Sequence, residues 1–389
     1  MNPTNPGLLL YCQPSLGIGH LSRSLALCEA LSRRFDVVLL CGGKLPRGTR
    51  PPAGVRVVAL PPIGATLDGR LISHDRRRSL ERAGELRRRR ILATFRSVRP
   101  EAVLIEFFPF GKKRFSGELL PLLEEARSLG PAAPVIACSI RDILVGRGRE
   151  QEEFDDRASR LVNDYFDAVL VHSDPGFARL DESFRPRVPL RTPIRYTGFV
   201  VSNGASRNGA RIRRDVVVSA GGGIAGASLL TTAAEAHRLL ENLRMKIIAG
   251  PFLPEDAWRA LQRESAGQSG LVVRRSVPDL GAELHAARAS VSQCGYNTAL
   301  DILRARVPAL VVPFAERGED EQTRRARRLA SLGVVRVLDP TDLRPRVLAD
   351  EIRALLSFRP HHPQLDLQGG PNTVRILEDL RSARFERAG

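Results

Sequence analysis

At 389 residues the chain has room for two ordinary α/β domains, each with a sizeable core. Apolar residues make up 43% and charged residues 26%, which excludes wholesale disorder, and no apolar run approaches the roughly 20 residues a bilayer-crossing helix needs. The formal net charge of +17 suits an anionic partner, but nucleic acid is disfavoured: aromatics are only 5% and are not interleaved with basic residues.

The N-terminus lacks a basic n-region, and Leu8–Tyr11 is too short for the apolar core of a signal peptide. Five widely spaced cysteines without metal-ligand spacing read as buried thiols, so a cytoplasmic location is expected. Short β-branched and leucine-rich runs then alternate with helical patterns, the signature of parallel βαβ units. The first run, Leu8–Tyr11, leads through Gly17-Ile18-Gly19-His20 into a helix expected over His20–Arg33. Glycines at such a turn let the backbone approach a ligand, and the helix N-terminus offers unpaired N–H groups. His20 either caps that helix or takes a proton from an attacking hydroxyl or water.

Further strands are expected at Val37–Leu40, Val55–Leu60, Val103–Ile105, Val135–Ala137 and Ala168–Val171, and the series closes near Tyr196–Val200. Arg76–Arg78 and Arg87–Arg90 fall in one helical stretch ending near Arg99, read as a solvated face or as a surface for anionic lipid headgroups or a charged acceptor. Glu106 and Asp142 follow strands and so stand at strand ends; either is a candidate base or a partner that orients His20, with capping or an ion pair to Arg141 as the alternative for Asp142. The polar segment 201–214 reads as a linker between an N-terminal domain (1–200) and a C-terminal one (215–370), with 371–389 an amphipathic helix packing back on the first.

The second half restarts the plan at Val216–Ser219, followed by a glycine loop through Gly221, Gly222, Gly223 and Gly226. So many glycines between strand and helix suit a pyrophosphate held by backbone amides. Strands are expected at Lys246–Ala249, Leu271–Val273, Ala289–Val291, Ala309–Val312 and Val335–Leu338. After Ala289–Val291, Gly295 makes a turn, Asn297 and Thr298 are placed to cap a helix, and Asp301 lies one turn in, where a carboxylate accepts hydrogen bonds from a ribose diol. A buried helix carrying one exposed acid is the plain alternative. Glu321 and Gln322 follow the Pro313-Phe314 strand end, within reach of sugar hydroxyls.

The Gly222–Ala227 loop, Ser276-Val277-Pro278-Asp279-Leu280, Cys294–Asp301, Pro313-Phe314 and Glu321-Gln322 resemble the donor-binding half of glycosyltransferase family 28, whose best-known member makes lipid II for peptidoglycan. The resemblance implies an α/β, GT-B fold: two Rossmann-like domains whose parallel sheets face an interdomain cleft. It places Ser276 and Val277 at a uracil, Gly222–Gly226 with Asn297 and Thr298 at the diphosphate, Asp301 at the ribose, and Glu321 with Gln322 at the donor sugar. Gly295 falls within the matching turn, and Gly17, Gly19 and Arg23 resemble the acceptor-side loop of the same enzymes. The whole chain also resembles a group of bacterial predicted glycosyltransferases, through Gly17–His20, Arg141–Leu144, Asp167–Val171, Asp174-Pro175, Tyr196–Gly198 and Gly295–Thr298. Three positions depart from family 28: Ile224 and Ala225 replace polar loop residues, and Asp301 is one methylene shorter than the usual glutamate.

The expected function is inverting transfer of a sugar from a nucleotide diphosphate donor, uridine-linked, to a hydroxyl acceptor. A lipid-linked acceptor is one form the arginine-rich stretch suggests, with contact to the inner face of the membrane. No Asp-x-Asp motif stands at a strand end, so no metal and no cofactor beyond the donor is expected, and charge on the leaving diphosphate falls to helix N-termini, with an arginine as a further candidate. A nucleotide-sugar hydrolase using His20 on water, and a non-catalytic nucleotide-sugar binder, are the rival readings.

Overall fold

The computed structural model describes residues 5–14, 19–43, 45, 49–66, 70–201, 215–222, 226–315 and 320–388. Gly17, Gly223 and linker residues 202–214 lie outside them. The chain divides into two compact units, Met1–Ser202 with Leu365–Gly389, and Asn203–Gln364.

The first unit is built on seven strands in one sheet: β1 (Gly7–Cys12), β2 (Asp36–Cys41), β3 (Arg56–Ala59), β6 (Ala102–Glu106), β7 (Val135–Arg141), β8 (Ala168–His172) and β9 (Ile194–Tyr196). Their order is β3-β2-β1-β6-β7-β8-β9 and every pairing is parallel. A parallel sheet is covered on both faces, which is why β1, β6 and β8 are buried almost end to end. Alternate side chains serve opposite layers. Leu9 and Tyr11 join the core beneath α2 (Leu80–Val98), α3 (Ser116–Ser128) and α4 (Gln151–Tyr165). Leu8, Leu10 and Cys12 join the one beneath α1 (Gly19–Leu31) and the C-terminal helix α11 (Gly369–Ala388), whose Val374 and Leu377 are buried there.

Two features of this unit differ from the sequence expectation. The residues after β9 do not extend the strand; they run to the C-terminal segment, with the Phe199 N–H on the Asp366 carbonyl at 2.7 Å and the Gly369 N–H on the Phe199 carbonyl at 3.0 Å. A small antiparallel pair, β4 (Ile63–Ala65) with β5 (Leu71–Ser73), was not foreseen, because three-residue strands carry no periodicity to read.

The second unit holds six parallel strands in the order β12-β11-β10-β13-β14-β15: β10 (Asp215–Ser219), β11 (Arg244–Ile248), β12 (Leu271–Arg274), β13 (Ala289–Ser292), β14 (Ala309–Val311) and β15 (Arg336–Val337). Val216 and Val218 of β10 pack into the core that includes Leu229, Leu230 and Ala233 of α5 (Ala227–His237) and Leu348 and Ile352 of α10 (Pro345–Leu355). The other α-helices among the described residues are α6 (Glu255–Ser265), α7 (Leu280–His285), α8 (Tyr296–Ala305) and α9 (Glu321–Ser331). Each sheet reverses its strand order once, between β1 and β6 and between β10 and β13, and ligands of doubly wound sheets bind outside the strand ends at such points.

Candidate active site

At the first reversal point, α1 starts directly after the β1 loop and brings His20 beside the C-terminal end of β6. His20 Nδ1 lies 2.6 Å from Glu106 Oε1, and Arg23, one turn along α1, donates to the same oxygen. Glu106 and Arg23 are buried, while the imidazole keeps 15% of its surface exposed. Burial works against the charge on Glu106, but His20, Arg23 and Lys112 outweigh it and hold the carboxyl down at about 2. For His20 burial wins: it pushes the imidazole down to about 3 against the pull of Glu106, with Lys112 and Arg141 pushing the same way. Glu106 is therefore the charged partner and Nδ1 the protonated nitrogen, which leaves the Nε2 lone pair as the acceptor.

Asp142 is buried at the end of β7, where its Oδ1 accepts the Ile143 N–H at 2.9 Å; it is Glu106 that meets His20. Phe107, which the sequence reading passed over, sets its ring edge-on to His20 at 5.5 Å between centroids, and the Arg141 guanidinium lies 5.3 Å from the same ring. Behind them His172 bridges Ser139 (2.7 Å) and Thr197 (2.8 Å) through its two nitrogens and is fully buried. Nothing local in the sequence marks these groups, because they converge only when neighbouring strand ends align.

The arginine-rich stretch is corrected in two respects. The helix begins only at Leu80, after Ser79, whose hydroxyl accepts the Arg82 N–H, so Arg76–Arg78 precede it. Arg87 is not on a solvated face at all. It is fully buried, with Nε and Nη2 on the two Glu118 oxygens at 2.7 and 2.6 Å, Nη1 on the Gly42 and Pro61 carbonyls, and Nη2 also on Gln13 Oε1 at 2.6 Å. Arg88 and Arg89 are exposed and pair with Glu85.

At the second unit's reversal point two helices begin on glycine. Gly226 precedes α5 with φ 133° and Gly295 precedes α8, so neither N-cap residue has a side chain to offer its helix. Asn297 and Thr298 were expected to cap α8, but the helix already begins at Tyr296, so both sit inside its first turn rather than at the capping position. Gly221 takes φ 65°, a left-handed turn in which a Cβ would sit 3.9 Å from Thr298 Oγ1, so the loop after β10 meets the first turn of α8. Gly222 adjoins it. The amide groups gathered there suit an anion.

Asp301 is partly buried on α8, beside Gly281 and Asp279 at the start of α7. Burial raises its carboxyl to about 7, Arg304 opposing and Asp279 adding to the rise. Ser276 is exposed and Val277 partly buried just past β12, the edge strand two places from β10. Glu321 is buried and paired with Arg325 at 3.1 Å, and Arg325 Nη1 donates to the Cys294 carbonyl at 2.9 Å. Gln322 Oε1 accepts the N–H groups of Cys294 (3.0 Å) and Phe314 (3.2 Å). Through these contacts α9 grips both sides of the turn that opens α8; the Glu321, Arg325 spacing of four was the readable signal. Among the described residues no group of three metal-ligating side chains comes together, and no helix is long and apolar enough to cross a membrane.

Residues 221–366 match the glycosyltransferase family 28 C-terminal domain. Over 92 residues the chain is 32% identical to the UDP-N-acetylglucosamine--N-acetylmuramyl-(pentapeptide) pyrophosphoryl-undecaprenol N-acetylglucosamine transferase of Anaeromyxobacter sp. (strain Fw109-5), covering 24% of this chain and 23% of that protein. Over 112 residues it is 30% identical to the protein of the same description from Anaeromyxobacter sp. (strain K), covering 28% and 29%. The chain thus spans about a quarter of the length of the curated relatives it matches. Solved structures align along nearly the whole chain. The calicheamicin glycosyltransferase CalG4 aligns with TM-score 0.59 at 16% identity over 99% of this chain and 96% of that one. MurG of Acinetobacter baumannii aligns with TM-score 0.54 at 14% identity over 98% and 100%. At such identities the likeness shows the fold: this is a GT-B chain of two Rossmann-like domains.

Proposed function

We propose that this chain is a glycosyltransferase that moves a sugar from a nucleotide diphosphate donor, uridine-linked, to a hydroxyl acceptor with inversion and without a metal ion or resident cofactor. The observation that carries the reading is the buried His20–Glu106 pair: a neutral imidazole fixed by an ionised carboxylate at a strand-order reversal of a GT-B fold. The family 28 match over residues 221–366 supports the donor class.

In the proposed step the acceptor hydroxyl gives its proton to His20 Nε2 as its oxygen bonds to the anomeric carbon of the sugar. The bond from that carbon to the diphosphate oxygen breaks, and the electron pair leaves with the diphosphate. Glu106 stabilises the imidazolium that forms. The glycine-led starts of α5 and α8 take up the charge of the leaving diphosphate, Asp301 accepts from the ribose hydroxyls, and Ser276 with Val277 lies against the base. Glu321 and Gln322 act on the donor sugar through the turn they brace.

The relatives' names describe a lipid-linked acceptor for those proteins, and the exposed arginines 76, 77, 78 and 82 suit a peripheral position on the inner face of the membrane here.

The test is release of nucleoside diphosphate from a panel of nucleotide sugars, with and without hydroxyl acceptors, in wild type and His20→Ala. Acceptor-dependent release that falls roughly 100- to 10,000-fold in the variant, with donor binding retained, supports the reading. Equal release without acceptor would identify a hydrolase, and donor binding without turnover a binder.

A further inference from the structure

The segment after β6 is folded under strain around one aromatic ring. Phe107 sits in the left-handed region at φ 65°, as does Lys112 at φ 58°, conformations that side chains larger than hydrogen adopt rarely. Residues held there cluster where the surrounding structure needs a particular side-chain placement. Three contacts fix the ring: its edge relation to the His20 imidazole (5.5 Å, 64°), the Arg141 guanidinium at 5.3 Å, and the backbone of Gly111, where any Cβ would overlap it. Phe107 itself is 8% exposed.

The geometry points to Phe107 as the positioning residue of this site, an aromatic wedge that holds the His20 imidazole with Nδ1 on Glu106 and keeps water from the ring. The inference rests on His20 being the proton acceptor but is tested without turnover. Among the described residues, Glu106 on β6, Lys112 after it and Arg141 on β7 act on the imidazole, with Arg23 on α1 sharing Glu106, and the wedge keeps their influence unscreened. Removing the ring admits water, so the imidazole protonates more easily and its tautomer loosens.

The experiment is a nitrogen-15 NMR titration of His20 in wild type, Phe107→Leu and Phe107→Tyr, with no donor or acceptor present. Wild type and Phe107→Tyr keep a neutral imidazole with the proton on Nδ1 through the neutral and mildly acidic range. Phe107→Leu raises the His20 titration by roughly 1 to 3 pH units and mixes the tautomers. A wild-type titration and tautomer in folded Phe107→Leu overturns the inference. Should that variant not fold, Gly111→Ala decides, since its methyl displaces the ring while Phe107 remains: an unchanged His20 titration there overturns the inference equally. A chain that turned over no sugar would leave this readout intact, so failure of the wedge and failure of the transferase reading are separable.

Discussion

At His20 two influences act on one imidazole. Burial favours the neutral ring, and Glu106 at 2.6 Å favours the charged one; burial prevails, so Nε2 carries a lone pair throughout the neutral range. Glu106 is the opposite case. Its carboxyl is held at about 2, below its ordinary 4.5, so it stabilises the fold fully above pH 4.5, and that contribution disappears as pH falls towards 2. Glu106→Gln removes the carboxylate charge that buried Arg23 and His20 share, and we expect a loss of about 3–5 kcal/mol in urea unfolding at neutral pH. Asp301 runs the other way. Its folded carboxyl keeps a proton up to about 7 against an ordinary 3.8, so its contribution to folding becomes unfavourable as pH rises across that window. Asp301→Asn should therefore raise Tm more at about pH 8 than at about pH 4, measured by calorimetry. The ionised acid is also the better acceptor for a diol, so uridine diphosphate affinity should climb through about pH 7 with proton release, and titration calorimetry on Asp301→Asn should show neither.

Helix α2 shows how an element's register decides what an arginine does. Four consecutive arginines follow Leu86, yet the 3.6-residue turn sends only Arg87 inward, where it ties α2 to α3 through Glu118, to the end of β1 through Gln13, and to the carbonyls of Gly42 and Pro61. The packing is close enough that a Cβ on Gly42 would overlap Gln13 Oε1. Arg87→Met leaves Glu118 buried without its cation and should destabilise by about 3–5 kcal/mol, whereas Arg90→Ala, exposed on the same helix, should change stability by less than about 0.5 kcal/mol. Denaturant midpoints of the two variants side by side check the contrast.

For the molecule as a whole, the first unit is closed by residues from the far end of the chain. Leu377 and Val374 of α11 complete the core over α1, and Arg381 and Arg384 pair with Glu101 and Asp167. Truncation before Leu365 should expose that apolar face, lower Tm and raise binding of a hydrophobic dye. The net charge of +17 gives the protein a long-range pull towards anionic surfaces, screened within about 10 Å at 0.1 M salt. Replacing exposed Arg76, Arg77 and Arg82 with glutamate should weaken sedimentation with phosphatidylglycerol vesicles and flatten its salt dependence; binding that ignores both salt and these residues would discard the membrane role.

What the sequence determined by itself is what short windows of chain encode. Continuous apolar runs announced parallel strands buried on both faces, glycines between strand and helix announced turns, and the segments from Gly222 to Gln322 carried the family resemblance. The tertiary structure alone decided pairings made at long range. Glu106 rather than Asp142 reaches His20 because β6 lies beside β1, an 86-residue separation that no local pattern reports. Arg87 is buried because helix register and Glu118 meet, and Phe199 and Val200 leave the sheet edge because the C-terminal segment offers them backbone partners. Periodicity and turn chemistry are properties of neighbouring residues, whereas the charge state of a buried group depends on whatever the fold brings next to it.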